Sequence, residues 1–172
     1  MRRSHAAMGT ALFFVVGPGT VLGLVPWWIT GWEFREPLPN WWAAQTVGVL
    51  LIIAGLAPLV GAFIEFAKAR GVPVPVTPTQ HLVVDGFNRY VRNPMYVGLS
   101  TVVLGETLLF GRFELLWWVA FIVVITMTFV RFYEEPALKR LFGAEYEEYL
   151  RNVPGWIPRL RPWRPVDRVS GH

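Results

Sequence analysis

The sequence predicts an all-α integral membrane protein with about four transmembrane helices and a C-terminal amphipathic cytoplasmic helix. Three observations carry that prediction. Of 172 residues, 53% are hydrophobic and only 16% charged, with a mean hydropathy of +0.40, an apolar excess too large for an ordinary soluble domain. The apolar residues fall in long runs separated by polar segments. Nine Trp are present, many at the ends of those runs, as suits a ring that meets lipid on one edge and water on the other. The length fits one domain, residues 1–172, with two N-terminal spans in 1–66 and a second half in 67–172.

The elements follow in order. Met1 to His5 is short and basic, and the apolar run from Ala6 to Ile29 reads as a retained first span. It is long for a signal peptide and shows no small-residue cleavage site. Gly17, Pro18, Gly19 and Pro26 should bend it, which a bilayer tolerates if neighbours satisfy the freed backbone groups. Thr30 to Asn40 is a loop flanked by Trp27, Trp28, Trp32, Trp41 and Trp42. Trp41 to Phe66 is a second span, in which Ala44/Gly48 and Ala57/Gly61 are small-residue pairs that permit close helix approach, and Pro58 a kink. Ala67 to Arg92 is a polar connection whose closely spaced prolines exclude a helix at its start. Pro94 to Phe110 is a short third span containing Glu106, Gly111-Arg112 a tight turn, and Phe113 to about Val130 a fourth span. From Pro136 to about Asn152, Leu138, Leu141, Phe142, Tyr146, Tyr149, Leu150 and Val153 recur at helical spacing, with Gly143 as an interruption. Pro154 to His172 is rich in Pro, Trp and Arg and reads as irregular.

Charge orients the chain. Fourteen of sixteen Lys and Arg lie outside the two loops that hold Arg35 and Arg112. With four spans, all the basic-rich segments share one side, and the positive-inside rule makes both termini cytoplasmic. The excess of base, with a pI near 9.9, then reflects anionic lipid headgroups rather than nucleic acid. With no Cys, disulfides, thiolate metal sites and Cys nucleophiles are excluded. Three scattered His (His5, His81, His172) make no metal cluster, and P-loop, GxGxxG, HExxH and GxSxG patterns are all absent.

Two polar clusters fall on the predicted cytoplasmic face. The first is Leu82–Gly98, an island holding Asp85, Gly86, Asn88, Arg89, Tyr90, Arg92, Asn93 and Tyr96. Arg92-Asn93-Pro94 reads equally as a membrane-insertion device, with Arg on lipid phosphate and Pro starting the helix, or as a helix-N-terminal site for a carboxylate. The second is Arg131-Phe132-Tyr133-Glu134-Glu135. Its acids either complement the start of a helix, with Glu135 facing Lys139 at i+4, or hold a cation or ligand hydroxyls. Glu106 is either a substrate-site residue or a structural acid near the far interface. Glu65 reads as a snorkelling interfacial residue and His81 as a loop imidazole or a general base.

LVVDGFNRYVRNPMYVG, residues 82–98, resembles the signature of the isoprenylcysteine carboxyl methyltransferase family and its bacterial relatives, within the wider phospholipid methyltransferase superfamily. That signature is Leu-Val, Gly-x-Tyr, then Arg-(His or Asn)-Pro-x-Tyr-x-Gly. Glu134-Glu135-Pro136, Phe142-Gly143, Glu145-Tyr146, Tyr149, Val153-Pro154 and Ile157-Pro158 are similar to its second block. The resemblance covers about residues 78 to 160, with both blocks in order.

The resemblance implies an integral-membrane methyltransferase that uses S-adenosylmethionine, releases S-adenosylhomocysteine, and sits in a bacterial inner membrane. It implies His81, Leu82 and Val83 on the adenosine side, close approach at Gly86, and cofactor contacts from Asn93, Pro94 and Tyr96. It also implies Glu134 and Glu135 on the cofactor's polar groups. Asn88 replaces a family Tyr, leaving Tyr90 as the neighbouring ring. Arg131 is near the family's substrate-carboxylate arginine. Arg131, Glu134 and Arg92 are thus the candidate catalytic residues, and no metal is implied. The expected acceptor is a lipidic or small hydrophobic carboxylate, already ionised near neutral pH and needing no strong base. An amine acceptor would need one. Phospholipid or amine N-methylation and thiol S-methylation are the alternatives within this class. A membrane adaptor or small transporter is the alternative outside it. The expected partners are membrane lipids and the acceptor, with no nucleic acid and no obligate protein.

Overall fold

A computed structural model describes residues 16–68, 82 and 84–164, and of 65–68 the backbone alone. The described residues form helices, turns and irregular segments, with no strand among them. We label α1 Val25–Thr30, α2 Trp42–Lys68, α3 Pro94–Phe110, α4 Leu115–Phe129, α5 Glu135–Phe142 and α6 Ala144–Asn152. A π-helical turn, Thr20–Leu24, leads into α1, and a second, Val130–Glu134, joins α4 to α5.

Two stretches are long and apolar enough to cross a membrane: Trp42–Ile64, of 23 residues, and Leu115–Phe142, of 28. Only 22% and 17% of their most apolar windows are buried, whereas the core helix of a soluble protein is mostly buried. Their outward faces carry bare Leu50, Ile53, Trp117 and Val124, apolar area that water would not tolerate in such quantity. α3 keeps its expected bounds but has 17 residues, a rise of about 25 Å and the short limit for a span. Residues 6–15 of the predicted first span lie outside the described residues, as does most of the polar connection.

α2 and α3 pack antiparallel through glycine. A Cβ built on Gly48 would stand 2.6 Å from the Gly105 carbonyl oxygen, and one on Gly98 would stand 2.6 Å from that of Gly55. The two contacts are seven residues apart on both helices, two turns along one face. This corrects the four-residue spacing read from sequence: Ala57 is exposed, and Gly61 serves a different contact, with the Phe87 ring 2.5 Å from where its Cβ would be. Trp41 Nε1 adds a hydrogen bond to the Leu108 carbonyl at 3.0 Å.

Val103, Leu115 and Ile122 form a core between α3 and α4, against which Val21, Leu22, Ile29, Trp118 and Val119 pack. Trp118 Nε1 donates to the Val21 carbonyl at 3.0 Å, which ties the first helical segment to α4. Each π turn precedes a proline by two residues, Pro26 and Pro136. Proline lacks an N–H and its ring crowds the carbonyl four residues back; a wider turn there lets the helix continue.

That continuity corrects a second expectation. Pro136 does not begin a separate amphipathic helix: the chain runs helical from Leu115 to Phe142. The break comes at Gly143, with φ 52° and ψ −123°, a conformation that costs a residue with a Cβ. α6 then starts anew. Glu134 and Glu135 therefore sit within a helix, not before one, and the helix-start account of these two acids does not apply.

Candidate functional site

The island turns at Gly86, whose φ of 55° favours a residue without Cβ. The turn makes a short 3-10 helix, Gly86–Arg89, and the chain then reaches Pro94 at the first turn of α3. Asn93 precedes that turn but does not cap it with its side chain. Its amide instead donates to the Gly155 carbonyl at 3.0 Å.

The C-terminal tail clasps this segment. Arg92 N–H donates to Pro154 O at 2.9 Å, Arg159 N–H to Tyr90 O at 3.0 Å, and Trp163 N–H to Arg89 O at 2.9 Å. Arg89 Nε returns a bond to Trp163 O at 2.9 Å. A tail that reads as irregular is thus fixed by backbone pairing, which no composition signal announces. Beneath it, Tyr146, Tyr149 and Val153 of α6 and its C-terminal flank are buried, with Leu82, Val84, Leu138, Phe142, Leu150 and Trp163 against them. Tyr149 Oη donates to Asn88 O at 2.7 Å. Burial pushes the Tyr149 phenol well above the ordinary tyrosine range, with Tyr146 adding to the rise, so it remains a neutral donor. Burial raises Tyr146 as well.

The second polar cluster closes on the first. Arg92 Nη2 lies 3.3 Å from Glu135 Oε1, and Arg131 Nη1 lies 3.6 Å from Glu135 Oε2. Tyr96 Oη donates to Glu134 Oε2 at 3.3 Å. The π turn is what places both acids here: Glu134 meets α3, while Glu135 faces the island's arginine.

Of the residues expected to form a site, Gly86, Tyr90, Arg92, Asn93, Pro94, Tyr96, Arg131, Glu134 and Glu135 all lie at this one end of the helices. Leu82 belongs to the cluster under the tail. His81 and Val83 lie outside the described residues. Arg131 is 71% exposed while Glu135 is 13% exposed, so the carboxylate, not the arginine, is the sequestered member of that pair. Glu106 is ten residues along α3 from Tyr96, about 15 Å away by helical rise, and its Oε2 is buried without a hydrogen-bond partner. Among the described residues no three His, Asp or Glu converge as a metal site. A cleft of about 780 Å³ lined by Arg35, Pro37, Phe113, Glu114 and Trp117 lies at the opposite end of α3, remote from these groups.

The groups at the island end suit a zwitterionic or cationic ligand. Glu134 offers a carboxylate for a cation or for hydroxyls. Among the described residues, Arg92 Nε and Asn88 Nδ2 are buried without hydrogen-bond partners, and unmet donors of this kind call for an acceptor. An amino-acid-bearing sulfonium nucleoside carries both: ammonium and ribose hydroxyls for the acid, carboxylate and base acceptors for the donors. The residues present therefore fit such a cofactor. Sequence reasoning missed Trp163, Arg159 and Gly155 as parts of this end, and it gave Tyr146 and Tyr149 no role there. The Tyr spacing and the Val153-Pro154 and Ile157-Pro158 pairs were visible signals; the pairing of the tail with residues 89–92 was not.

The profile of the family described as phospholipid methyltransferase matches residues 43–145. The protein-S-isoprenylcysteine O-methyltransferase of Schizosaccharomyces pombe (strain 972 / ATCC 24843) is 40% identical over 85 residues, 46% of this chain and 34% of that protein. Protein-S-isoprenylcysteine O-methyltransferase B of Arabidopsis thaliana is 29% identical over 124 residues, 69% of this chain and 61% of its own length. A probable protein-S-isoprenylcysteine O-methyltransferase of Oryza sativa subsp. indica is 27% identical over 125 residues, 70% of this chain and 64% of its own. The chain thus spans less than two thirds of these relatives. No solved structure matches it.

Proposed function

The chain belongs to the phospholipid methyltransferase family, and we propose that it is a membrane-embedded, S-adenosylmethionine-dependent methyltransferase acting on a lipidic or small hydrophobic carboxylate. The carrying observation is the meeting of Tyr96–Glu134 and Arg92–Glu135 where α3 begins. The relatives named as isoprenylcysteine O-methyltransferases support the carboxylate. We assign four spans, residues 6–29, α2, α3 and the α4 part of Leu115–Phe142, with both termini cytoplasmic in a bacterial inner membrane.

In this reading Glu134 holds the cofactor's ammonium or ribose hydroxyls, oriented by the Tyr96 hydroxyl. Asn93, Pro94, Gly86, Tyr90, Leu82, His81 and Val83 line its remaining surface. Glu135 holds Arg92 and Arg131 in place, with Arg131 toward the acceptor carboxylate. The cofactor supplies an electrophilic methyl on sulfur. The protein's work is to orient the acceptor oxygen in line with it and to keep water away. An ionised carboxylate gives up no proton, which suits an end of the molecule whose phenols are held neutral.

Label transfer from methyl-labelled S-adenosylmethionine in membranes tests this. Base-labile label on a prenylcysteine analogue is the expected result. Base-stable label on phosphatidylethanolamine, with none on the analogue, would move the acceptor to an amine, as the family description suggests. No transfer and no binding of S-adenosylhomocysteine would leave a non-enzymatic adaptor.

A further inference from the structure

We propose that the C-terminal tail is a surface anchor that seats Ile157 and Leu160 among the headgroups of an anionic leaflet. Ile157 is 79% exposed and Leu160 99%. These are not the loose ends of a free strand. Arg92 N–H holds Pro154 and Tyr90 O holds Arg159, so Ile157 projects from a segment pinned at both ends. The pins place it beside residues 90–92, immediately before α3 begins at Pro94. If α3 enters the bilayer there, as the functional reading has it, the two aliphatic side chains stand at headgroup level. Trp163, further along, packs back onto Tyr149 with ring centroids 5.8 Å apart, which holds the tail beyond Leu160 as well.

The charge says which surface covers them. Residues 154–164 contain Arg159, Arg161 and Arg164 and no acid. Arg161 and Arg164 are exposed, while Arg159 donates to the Asn152 carbonyl at 2.6 Å. Bare aliphatic groups flanked by arginine fit a surface that is apolar below and negative above. The opposite end of the helices differs: there Arg35 and Arg112 are each paired with acids, Glu114 and Glu33.

The chain has no Cys, so single cysteines can carry an environment-sensitive fluorophore at Leu160, at Ile53 on the bare face of α2, and at exposed Glu147. The full chain is reconstituted in vesicles of phosphatidylcholine with or without phosphatidylglycerol, with a lipid-borne quencher. The Leu160 label should shift to the blue and be quenched comparably to the Ile53 label in anionic vesicles. Both effects should diminish without phosphatidylglycerol and in the R161Q/R164Q variant, while the Glu147 label stays aqueous. An aqueous Leu160 label beside a quenched Ile53 label overturns the anchor but leaves the membrane reading intact. A blue shift without lipid quenching would mean that protein covers the tail, and would also overturn it. Quenching indifferent to phosphatidylglycerol and to the arginines would overturn the anionic assignment. Aqueous labels at both Leu160 and Ile53 would remove the membrane reading itself.

Discussion

Glu134 and Glu135 are adjacent, and their side chains have different work. Glu135 is largely buried between Arg92 and Arg131. Replacing it with Gln leaves the nearly buried Arg92 uncompensated and should cost about 2 kcal/mol of stability, less than a fully buried pair because Arg131 is in solvent. Among the described residues, Glu134 accepts a hydrogen bond from Tyr96. Glu134→Ala should leave thermal stability nearly unchanged yet weaken S-adenosylhomocysteine binding, measured by calorimetry in detergent, by well over tenfold. Wild-type affinity there would remove Glu134 from the cofactor site. Tyr149→Phe deletes the bond to Asn88 O and should cost about 1–2 kcal/mol. Its pH dependence has a definite sign. A phenol whose folded pKa is raised keeps its proton in the fold, so its stabilising contribution is complete below the ordinary tyrosine pKa of about 10 and falls as pH rises beyond it. Alkaline unfolding of the Phe variant should therefore be shallower than that of wild type. At this scale the sequence identified the acids and the island, because an RNPxY segment and paired Glu are local signals. It did not tell which Glu faces which partner, since that depends on a π turn two residues before Pro136.

The helix pair α2–α3 is the element on which the site depends, because it fixes where α3 begins. Its contact is backbone on backbone, through Gly48 with Gly105 and Gly55 with Gly98. A Cβ at Gly55 would meet Gly98 O at 2.7 Å and Val102 N at 2.9 Å, and neither backbone atom can rotate away. Gly55→Ala should thus push the helices apart and cost about 1–3 kcal/mol, read as a lower melting temperature in detergent. Gly23→Ala is the control, since nothing lies within 4 Å of its would-be Cβ. The bounds of α3 were legible because Pro94 and Gly111 mark its ends, Gly111 with φ 64°. The register of the pair was not. Small residues recur throughout α2, and four-residue and seven-residue spacings are equally visible in one strand of sequence; only the partner's glycines select between them.

Across the whole molecule, the distribution of charge argues a single orientation. The end holding the island, the acids and the tail carries most of the arginine, whereas Glu33, Glu36 and Glu114 gather with Arg35 and Arg112 at the other. A basic end retained beside anionic lipid and an acid-balanced end across the bilayer are what positive-inside insertion produces. This orientation is a proposal read from composition, which needs only where the apolar runs stop. The same feature yields a sharp test. A cysteine at Glu36 or Phe113 should react with a membrane-impermeant maleimide added outside intact bacterial cells, because both lie by the α3–α4 turn. A cysteine at Glu147 should react only after permeabilisation. Four spans require this opposition between the two sets of sites, and a chain crossing the membrane only through α2 and Leu115–Phe142 with α3 lying along the surface would not. In that arrangement α3 could not carry the chain across between its ends, so Tyr96 and Phe113 would be found on one side. Glu36 and Glu147 labelled from one side, with Phe113 labelled from the other, would therefore overturn the four-span topology while leaving the Tyr96–Glu134 contact where it is.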